Sequence, residues 1–253
     1  MGLPRWLADL VTVVAFLTII PVGIPVGRRA VYRPGSLMAA AWCFPVIGLL
    51  VGVVGSVIYG LAIWLGFTPW LAATLCVGAM VLLCGGLHED GLGDFVDGLG
   101  GHTRERRLEI MHDSQAGNFA ILALLLLFAA RIGAVTALEA PGRVLAAMLV
   151  AAAISRAAMV VVMYVLPNAR QDGLSVGAGR PGRAVTLIAA FVAGAVSVIA
   201  VGAAQAIACI AVASFLGCLI AILVRRRLGG QTGDVLGAVC LVTELGCLLV
   251  IGL

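Results

Sequence analysis

The feature that most constrains this chain is a run of 41 residues, from Ala184 to Val224, without a single charged side chain. Because about 20 apolar residues of helix cross a bilayer, this run is too long for one crossing. It predicts two helices that turn near residues 203–205. Hydrophobic residues make up 62% of the chain and charged residues 11%, more apolar surface than a soluble domain could bury. The sequence therefore predicts a polytopic membrane protein and argues against soluble, disordered, coiled-coil and collagen-like classes.

Other apolar runs predict the remaining spans. Residues 34–87 are long enough for two spans, broken at residues 66–69, and single spans are expected at residues 118–138, 143–166 and 234–253. The N-terminal segment carries Asp9, Pro21 and Pro25, which suit a cleaved signal peptide poorly, so we expect it to be retained. It could be an interfacial or re-entrant helix, or a span. The predicted fold is an all-α bundle of about six to seven spans, forming one domain over residues 1–253.

The positive charges of the chain predict its orientation. All 16 cationic residues are arginines, and basic connections alternate with nearly neutral ones along the chain. The basic connections are residues 28–33, 104–107, 170–183 and 225–227. This positive-inside pattern predicts that all four face the cytoplasm. The arginines do not form one dense patch, so nucleic-acid binding is not expected.

An acidic cluster is the strongest functional signal. Asp90, Asp94 and Asp97 are spaced i, i+4, i+7, which places them on one face of a helix. Each acid near the bilayer core costs about 2.5–3.5 kcal/mol, and the like charges also repel one another. A divalent cation would offset these costs, Mg²⁺ first because it prefers oxygen ligands and phosphates. The alternative is a solvated acidic segment without a ligand.

Glycines surround these acids. The glycines at positions 91, 93 and 98 argue against a rigid helix in water, but they allow close packing inside a membrane bundle. The next polar segment, residues 103–114, predicts a short amphipathic helix on the cytoplasmic surface, with Thr103 as its N-cap. Its last acid, Asp113, stands where the chain returns to the membrane.

A third polar segment, Gly229-Gly230-Gln231-Thr232-Gly233-Asp234, precedes the last span. It could form a backbone nest for phosphate, although a glycine-rich turn with Asp234 as N-cap explains it equally well. Arg131, Arg156 and Glu244 lie inside predicted spans, so they are either functional groups or members of a structural ion pair. His88 flanks the acids and is either a base near neutral pH or an interface hydrogen-bonding group.

Three segments of the sequence, taken in their order and spacing, resemble the cobalamin synthase family (adenosylcobinamide-GDP ribazoletransferase). They are residues 85–98, 109–114 and 228–234, and the Ser155-Arg156 pair within a span agrees with them. The resemblance covers essentially the whole chain. Leu241 departs from it, because another acid is expected about one helical turn before Glu244.

The resemblance implies a multi-pass protein of the bacterial inner membrane that needs Mg²⁺ and has its active site on the cytoplasmic face. The implied substrates are adenosylcobinamide-GDP and α-ribazole or its 5′-phosphate. A ribazole hydroxyl would attack the cobinamide-proximal phosphoryl group, and GMP would leave. A monomer and a homo-oligomer both fit this interpretation.

The resemblance also implies roles for individual residues. Asp90, Asp94 and Asp97, together with Glu89, would hold Mg²⁺. Asp97 is the first candidate for the general base and His88 the second. The implied substrate-binding residues are Arg156, Gln231, Thr232, Asp234 and Asp113. We further expect the Asp90 and Asp234 carboxylates to meet across one cavity.

Three other classes of protein share some of these features. CDP-alcohol phosphatidyltransferases also use an aspartate-rich membrane helix, but their motif contains an arginine that the run Asp90-Gly91-Leu92-Gly93-Asp94 lacks. Membrane prenyltransferases carry paired acidic motifs in two halves of the chain. A divalent-cation transporter would place its acids near the middle of the membrane, usually on broken helices in corresponding halves.

Overall fold

A computed structural model describes residues 4–22, 36–113, 115–169 and 179–253. Within these ranges the chain is helical, apart from connections and an isolated parallel bridge between Asn168 and Gln231. The predicted basic connection at residues 28–33 lies outside the described residues, as do Ser114 and Arg170 of the segments discussed above.

The helices follow the predicted spans closely. They are α1 (Arg5–Leu17), α2 (Ser36–Ala40) with a 3₁₀ turn (Ala41–Cys43), α3 (Phe44–Trp64), α4 (Pro69–Cys84), α5 (Leu87–Leu99), α6 (Arg104–Ile110), α7 (Asn118–Thr136), α8 (Pro141–Val165), α9 (Arg183–Val201), α10 (Ala203–Arg227) and α11 (Gly233–Gly252). In the described part of the chain, six helical stretches are long and apolar enough to cross a membrane, or seven if bent α4 and α5 form one span. The predicted all-α bundle of six to seven spans is confirmed.

The long charge-free run forms two helices, as predicted. α9 ends at Val201 and α10 begins at Ala203, so the turn consists of Gly202, just before the predicted window. α8 and α11 form the most enclosed part of the bundle, while large side chains such as Phe191 and Ile199 remain exposed. These exposed apolar side chains suit contact with lipid.

The N-terminal helix α1 is too short to cross a bilayer. Its 13 residues extend about 20 Å, against roughly 30 Å for a hydrocarbon core. It packs beside α2, and the indole Nε1 of Trp42 donates a hydrogen bond of 3.0 Å to the Asp9 carboxylate. This agrees with the interfacial or re-entrant alternative and disagrees with a span.

The chain bends by 88° between α4 and α5. Gly85 and Gly86 form the bend, with φ values of +63° and +70°, a left-handed conformation that side-chain-bearing residues rarely adopt. The first half of the segment between the predicted spans, residues 87–99, is a helix folded back onto the bundle. α5 packs against α7 and α11, and its Leu92 and Phe95 side chains join the hydrophobic core.

Candidate active site

The acidic helix α5 lies directly against the start of α11. A Cβ atom added at Gly91 would lie 3.0 Å from the Asp234 Cα, and one added at Gly237 would lie 2.9 Å from the His88 carbonyl oxygen. Because neither position has room for a side chain, the two backbones approach as closely as helices can. The acidic cluster and the glycine-rich segment therefore meet in space, although about 140 residues separate them in sequence.

Three of the predicted acids of α5 remain at least partly accessible. Asp90 is exposed, and Asp94 and Asp97 are partly exposed. Asp234, in the first turn of α11, is also partly exposed. Asp90, Asp94 and Asp234 are therefore accessible acids where the two segments meet.

Asp97 has a different setting. Its carboxylate accepts hydrogen bonds from the backbone N–H groups of Gly117 (2.6 Å) and Ala120 (2.9 Å). These N–H groups belong to the first turn of α7, whose own N-cap residue, Gly117, has no side chain to accept them. Asp97 thus caps α7 from a neighbouring helix, and its negative charge complements the helix dipole.

Glu89 points into the bundle, away from Asp90. Its Oε1 lies 3.1 Å from Arg131 Nη1, and Arg131 Nη2 lies 2.5 Å from Glu244 Oε1. The other oxygen of Glu244 accepts a hydrogen bond from Arg156. These four residues form what we call the buried charge network: Glu89 on α5, Arg131 on α7, Arg156 on α8 and Glu244 on α11.

The buried charge network accounts for the intramembrane charges seen in the sequence. Instead of the isolated ion pair considered there, two carboxylates face two guanidiniums, so the formal charge of the network is zero. Glu244 is fully buried and Arg131 is 2% exposed. The predicted substrate-binding residue Arg156 is also buried. Its guanidinium donates hydrogen bonds to the Glu244 carboxylate and, at 3.0 Å, to the Ser155 hydroxyl.

The candidate base His88 is buried as well. It is 2% exposed, and its Nε2 atom has no hydrogen-bond partner among the described residues. It lies close enough to Arg156, Glu244 and Arg131 to interact with each of them electrostatically. The structure therefore places His88 beside the buried charge network, not on the accessible face of α5.

The glycine-rich segment is held by a neighbouring loop. Gln231 is buried; its backbone N–H donates to the Pro167 carbonyl and its carbonyl accepts from the Ala169 N–H, both at 2.8 Å. Its side-chain amide donates to Asn168 Oδ1. The N-cap of α11 is Thr232, whose hydroxyl oxygen accepts from the Val235 N–H at 3.3 Å. The alternative in which Asp234 is the N-cap is therefore wrong.

Arg104 joins three connections at this end of the bundle. Its Nε donates to the Leu228 carbonyl at 2.7 Å and its Nη2 donates to the Ala169 carbonyl at 2.6 Å. Arg107 is buried and donates weakly to the Arg227 carbonyl at 3.4 Å. The connections around α6, residues 166–169 and residues 228–232 thus share one end of the molecule. The sequence predicts only a surface amphipathic helix for this segment, because nothing in the spacing of its arginines reveals their backbone partners.

α6 itself agrees with the prediction. The Thr103 hydroxyl accepts a hydrogen bond from the Arg106 N–H at 3.2 Å, as an N-cap does. Asp113, beyond the end of α6, is exposed, and its Oδ1 accepts from the Gln115 N–H at 3.1 Å. Its described contact is therefore local to that turn.

The four predicted metal ligands do not form one cluster. Among the residues that the structure describes, no group of three or more His, Cys, Asp or Glu side chains is arranged to hold a metal ion. Glu89 belongs to the buried charge network and Asp97 to the α7 cap, which leaves Asp90 and Asp94 on the accessible face. An apolar cavity of about 320 Å³ between α8, α9 and α10 contains none of the predicted site residues.

The fold and this site define a multi-pass helical membrane protein with an acidic helix folded back against the start of its last span. Comparison with known proteins identifies the family. The family model described as cobalamin-5-phosphate synthase matches residues 9–252. The chain belongs to this family of enzymes. The comparison with solved structures gave no match.

Relatives of this chain carry one name, adenosylcobinamide-GDP ribazoletransferase. The protein of Bradyrhizobium diazoefficiens is 42% identical over 247 residues, which cover 96% of this chain and 93% of the relative. The protein of Mesorhizobium japonicum is 40% identical, and the match covers 87% of this chain and 85% of the relative. That of Allorhizobium ampelinum is 35% identical and covers 97% of both chains. These matches favour the ribazoletransferase interpretation over the phosphatidyltransferase, prenyltransferase and transporter alternatives.

Proposed function

We propose that this chain joins adenosylcobinamide-GDP to α-ribazole, or to α-ribazole 5′-phosphate, and releases GMP. The product is adenosylcobalamin or its 5′-phosphate. The bond that forms links a ribazole hydroxyl oxygen to the cobinamide-proximal phosphorus, and the bond that breaks joins this phosphorus to the oxygen bridging to GMP. The name shared by relatives that match nearly the whole chain supports this choice of substrates. The close approach of α5 to the start of α11 supports the location of the active site.

Mg²⁺ fits the accessible carboxylates of this site. Mg²⁺ is usually held by one or two protein carboxylates, with substrate phosphates and water completing its shell, so a cluster of three protein ligands is not required. Asp90 and Asp94 supply two hard oxygen donors one helical turn apart and remain on the accessible face. They would hold the ion, which would offset the negative charge of the diphosphate.

The start of α11 would bind the diphosphate from the other side. A helix N-terminus presents unpaired N–H groups and a partial positive charge to an anion. The rigid 228–232 loop, fixed by Gln231 and Arg104, holds that helix start against α5. The chain's own contribution is therefore positioning and charge compensation, which are the main demands of phosphoryl transfer.

The revised roles of the other predicted residues follow from their contacts. Asp97 and Glu89 would hold helices in position, because their carboxylate oxygens accept hydrogen bonds from the Gly117 N–H and from the Arg131 guanidinium. Asp234 stays a candidate for contact with substrate, because Thr232 and not Asp234 caps α11. The proton of the ribazole hydroxyl would pass to an accessible carboxylate of α5 or to water, because His88 is buried.

We place the reaction on the cytoplasmic face of the bacterial inner membrane. Arg104 ties together the basic connections around α6, residues 166–169 and residues 228–232 at one end of the bundle. Three consecutive arginines, Arg225 to Arg227, end α10 at the same place. The positive-inside rule assigns such an end to the cytoplasm.

The proposal is tested with purified protein in detergent, adenosylcobinamide-GDP and α-ribazole. We expect GMP and a cobalamin product to appear together, only when both substrates and Mg²⁺ are present. Reactions that omit α-ribazole, contain excess EDTA, or use an Asp90→Asn variant serve as controls. GMP release that does not depend on α-ribazole would contradict ribazole transfer, and undiminished release in EDTA would contradict the metal assignment.

A further inference from the structure

The buried charge network is an unusual construction for a membrane bundle. It joins α5, α7, α8 and α11 through Glu89, Arg131, Arg156 and Glu244. Removing four charged groups from water carries a large desolvation penalty, which apolar side chains of similar size would avoid. Since the bundle already has a large apolar core, stability alone does not explain why the charges are there.

Only one member of the network belongs to the acidic helix. Glu89 is the residue immediately before Asp90, and successive residues on an α-helix point about 100° apart. With Glu89 bonded to Arg131 inside the bundle, Asp90 is turned toward the accessible side, and Asp94 follows it one turn later. The rotation of α5 about its own axis is therefore coupled to the Glu89–Arg131 pair.

α5 needs such an anchor because of what precedes it. The bend at Gly85 and Gly86 consists of two residues with the widest conformational freedom, so it does not by itself fix the direction or rotation of the helix. The close contacts of Gly91 and Gly237 set how near α5 lies to α11. Leu92 and Phe95 pack α5 into the apolar core, and the Glu89–Arg131 pair adds a directional contact beside Asp90 that sets the rotation of this part of the helix.

We propose that the buried charge network is a positioning device for the active site: through Glu89 and Arg131 it fixes the rotation of α5 and thereby holds Asp90 and Asp94 toward the substrates. Glu244 and Arg156 hold Arg131 in place from α11 and α8. All four members of the network are buried and bond to one another, so they are positioning residues. Its catalytic consequence rests on the proposed function, whereas its effect on α5 does not.

The test compares Glu89→Gln, Arg131→Gln and the double variant Glu89→Gln/Arg131→Gln. Each single change leaves one unbalanced charge in the core, whereas the double change restores neutrality and should restore thermal stability. If the pair positions α5, the double variant still loses about 10- to 100-fold in kcat, with KM changed far less, because small misplacements of reacting groups are costly. Backbone amides of residues 87–99 should exchange hydrogen for deuterium faster than in the wild type.

A matched control removes an Arg–Glu pair of the same kind from the surface. Arg106 and Glu109 are paired at 2.6 Å and largely exposed, so Arg106→Gln/Glu109→Gln should change neither kcat nor exchange in α5. A neutral double variant with wild-type kcat and wild-type exchange in α5 would show that the pair only balances charge, and would overturn the proposal. If no protein, wild type included, forms a cobalamin product, the proposed function fails, while the exchange measurement still decides the positioning role.

Discussion

The Asp97 carboxylate lies 2.6 Å from the backbone nitrogen of Gly117, 20 residues later in the chain. Through this contact the acidic helix α5 supplies the cap that α7 lacks. The family resemblance implies Asp97 as the first candidate for the general base. The structure shows instead that both of its oxygens accept backbone N–H groups, so one acid of the stripe already has a helix-capping role.

Loss of this cap should lower stability. Asp97→Ala removes the acceptor and leaves two N–H groups unpaired, which should cost about 1 kcal/mol in the free energy of unfolding. Gly117→Ala should act in the same direction, because its added Cβ would lie 2.8 Å from the Asp97 carboxylate oxygens. Thermal unfolding in detergent measures both. Gly133→Ala, at an open position of the same helix, is the control and should not destabilise; an equal loss there would contradict the capping role.

Asp90→Asn and Asp94→Asn should each abolish turnover without preventing membrane insertion or folding. An amide keeps the shape of the side chain but loses the charge that attracts a hard cation. The measurement is GMP release over a range of Mg²⁺ concentrations, normalised to folded protein. Glu105→Gln, at an exposed carboxylate of α6, is the control with normal turnover. Near-wild-type activity of either aspartate variant at low Mg²⁺ would remove that residue from the metal site.

Asp234 and Thr232 can be separated experimentally. Thr232→Val removes the N-cap of α11 and should lower the free energy of unfolding by about 1 kcal/mol. The Thr232 hydroxyl also donates to the Asp234 carboxylate at 3.2 Å, and an amide oxygen can still accept that hydrogen bond. Asp234→Asn should therefore keep the cap and nearly unchanged stability, while its turnover falls by orders of magnitude if Asp234 contacts substrate. Unfolding curves of each single variant give its free energy of unfolding, and steady-state kinetics give its turnover. Full activity of Asp234→Asn per folded molecule would show that Asp234 has no role at the site.

Membrane orientation can be measured by cysteine labelling. In a background without the seven native cysteines, Arg106→Cys and Arg226→Cys should react only with reagent that reaches the cytoplasm. Gly142→Cys, exposed at the opposite end of the bundle near the start of α8, should react from the periplasm. Periplasmic labelling at position 106 would reverse the orientation and move the proposed site to the other face.

Much of the architecture could be predicted because the bilayer is so restrictive a solvent. Backbone groups in hydrocarbon must pair within a helix, and each crossing needs a fixed length of apolar chain, so the uncharged runs predicted six spans to within a few residues. The second span predicted within residues 34–87 is the 16-residue helix α4, which is long enough only together with α5. The helical spacing of Asp90 and Asp94 indicated a shared face, and both remain accessible on α5. Thr103 was predicted as an N-cap from its position alone, since capping is a local interaction.

The destinations of individual charges could not be predicted in this way. Glu89 and Asp90 are adjacent acids in the sequence, yet one is bonded to Arg131 inside the bundle and the other is exposed. Arg104 belongs to a predicted surface helix, yet it donates hydrogen bonds to two carbonyls that lie 65 and 124 residues away.

The sequence by itself determined that this chain crosses a membrane several times and carries an acidic helix, because hydropathy and helical periodicity are local properties. Only the tertiary structure decided which acids stay accessible on α5, which one caps α7 and which ones balance Arg131. That choice depends on the 88° bend at Gly85 and Gly86, which turns the chain into α5, and on the close crossing of Gly91 with α11, which sets how near α5 lies to that helix. Long-range contacts of this kind arise between segments far apart in the chain, so no local pattern encodes them.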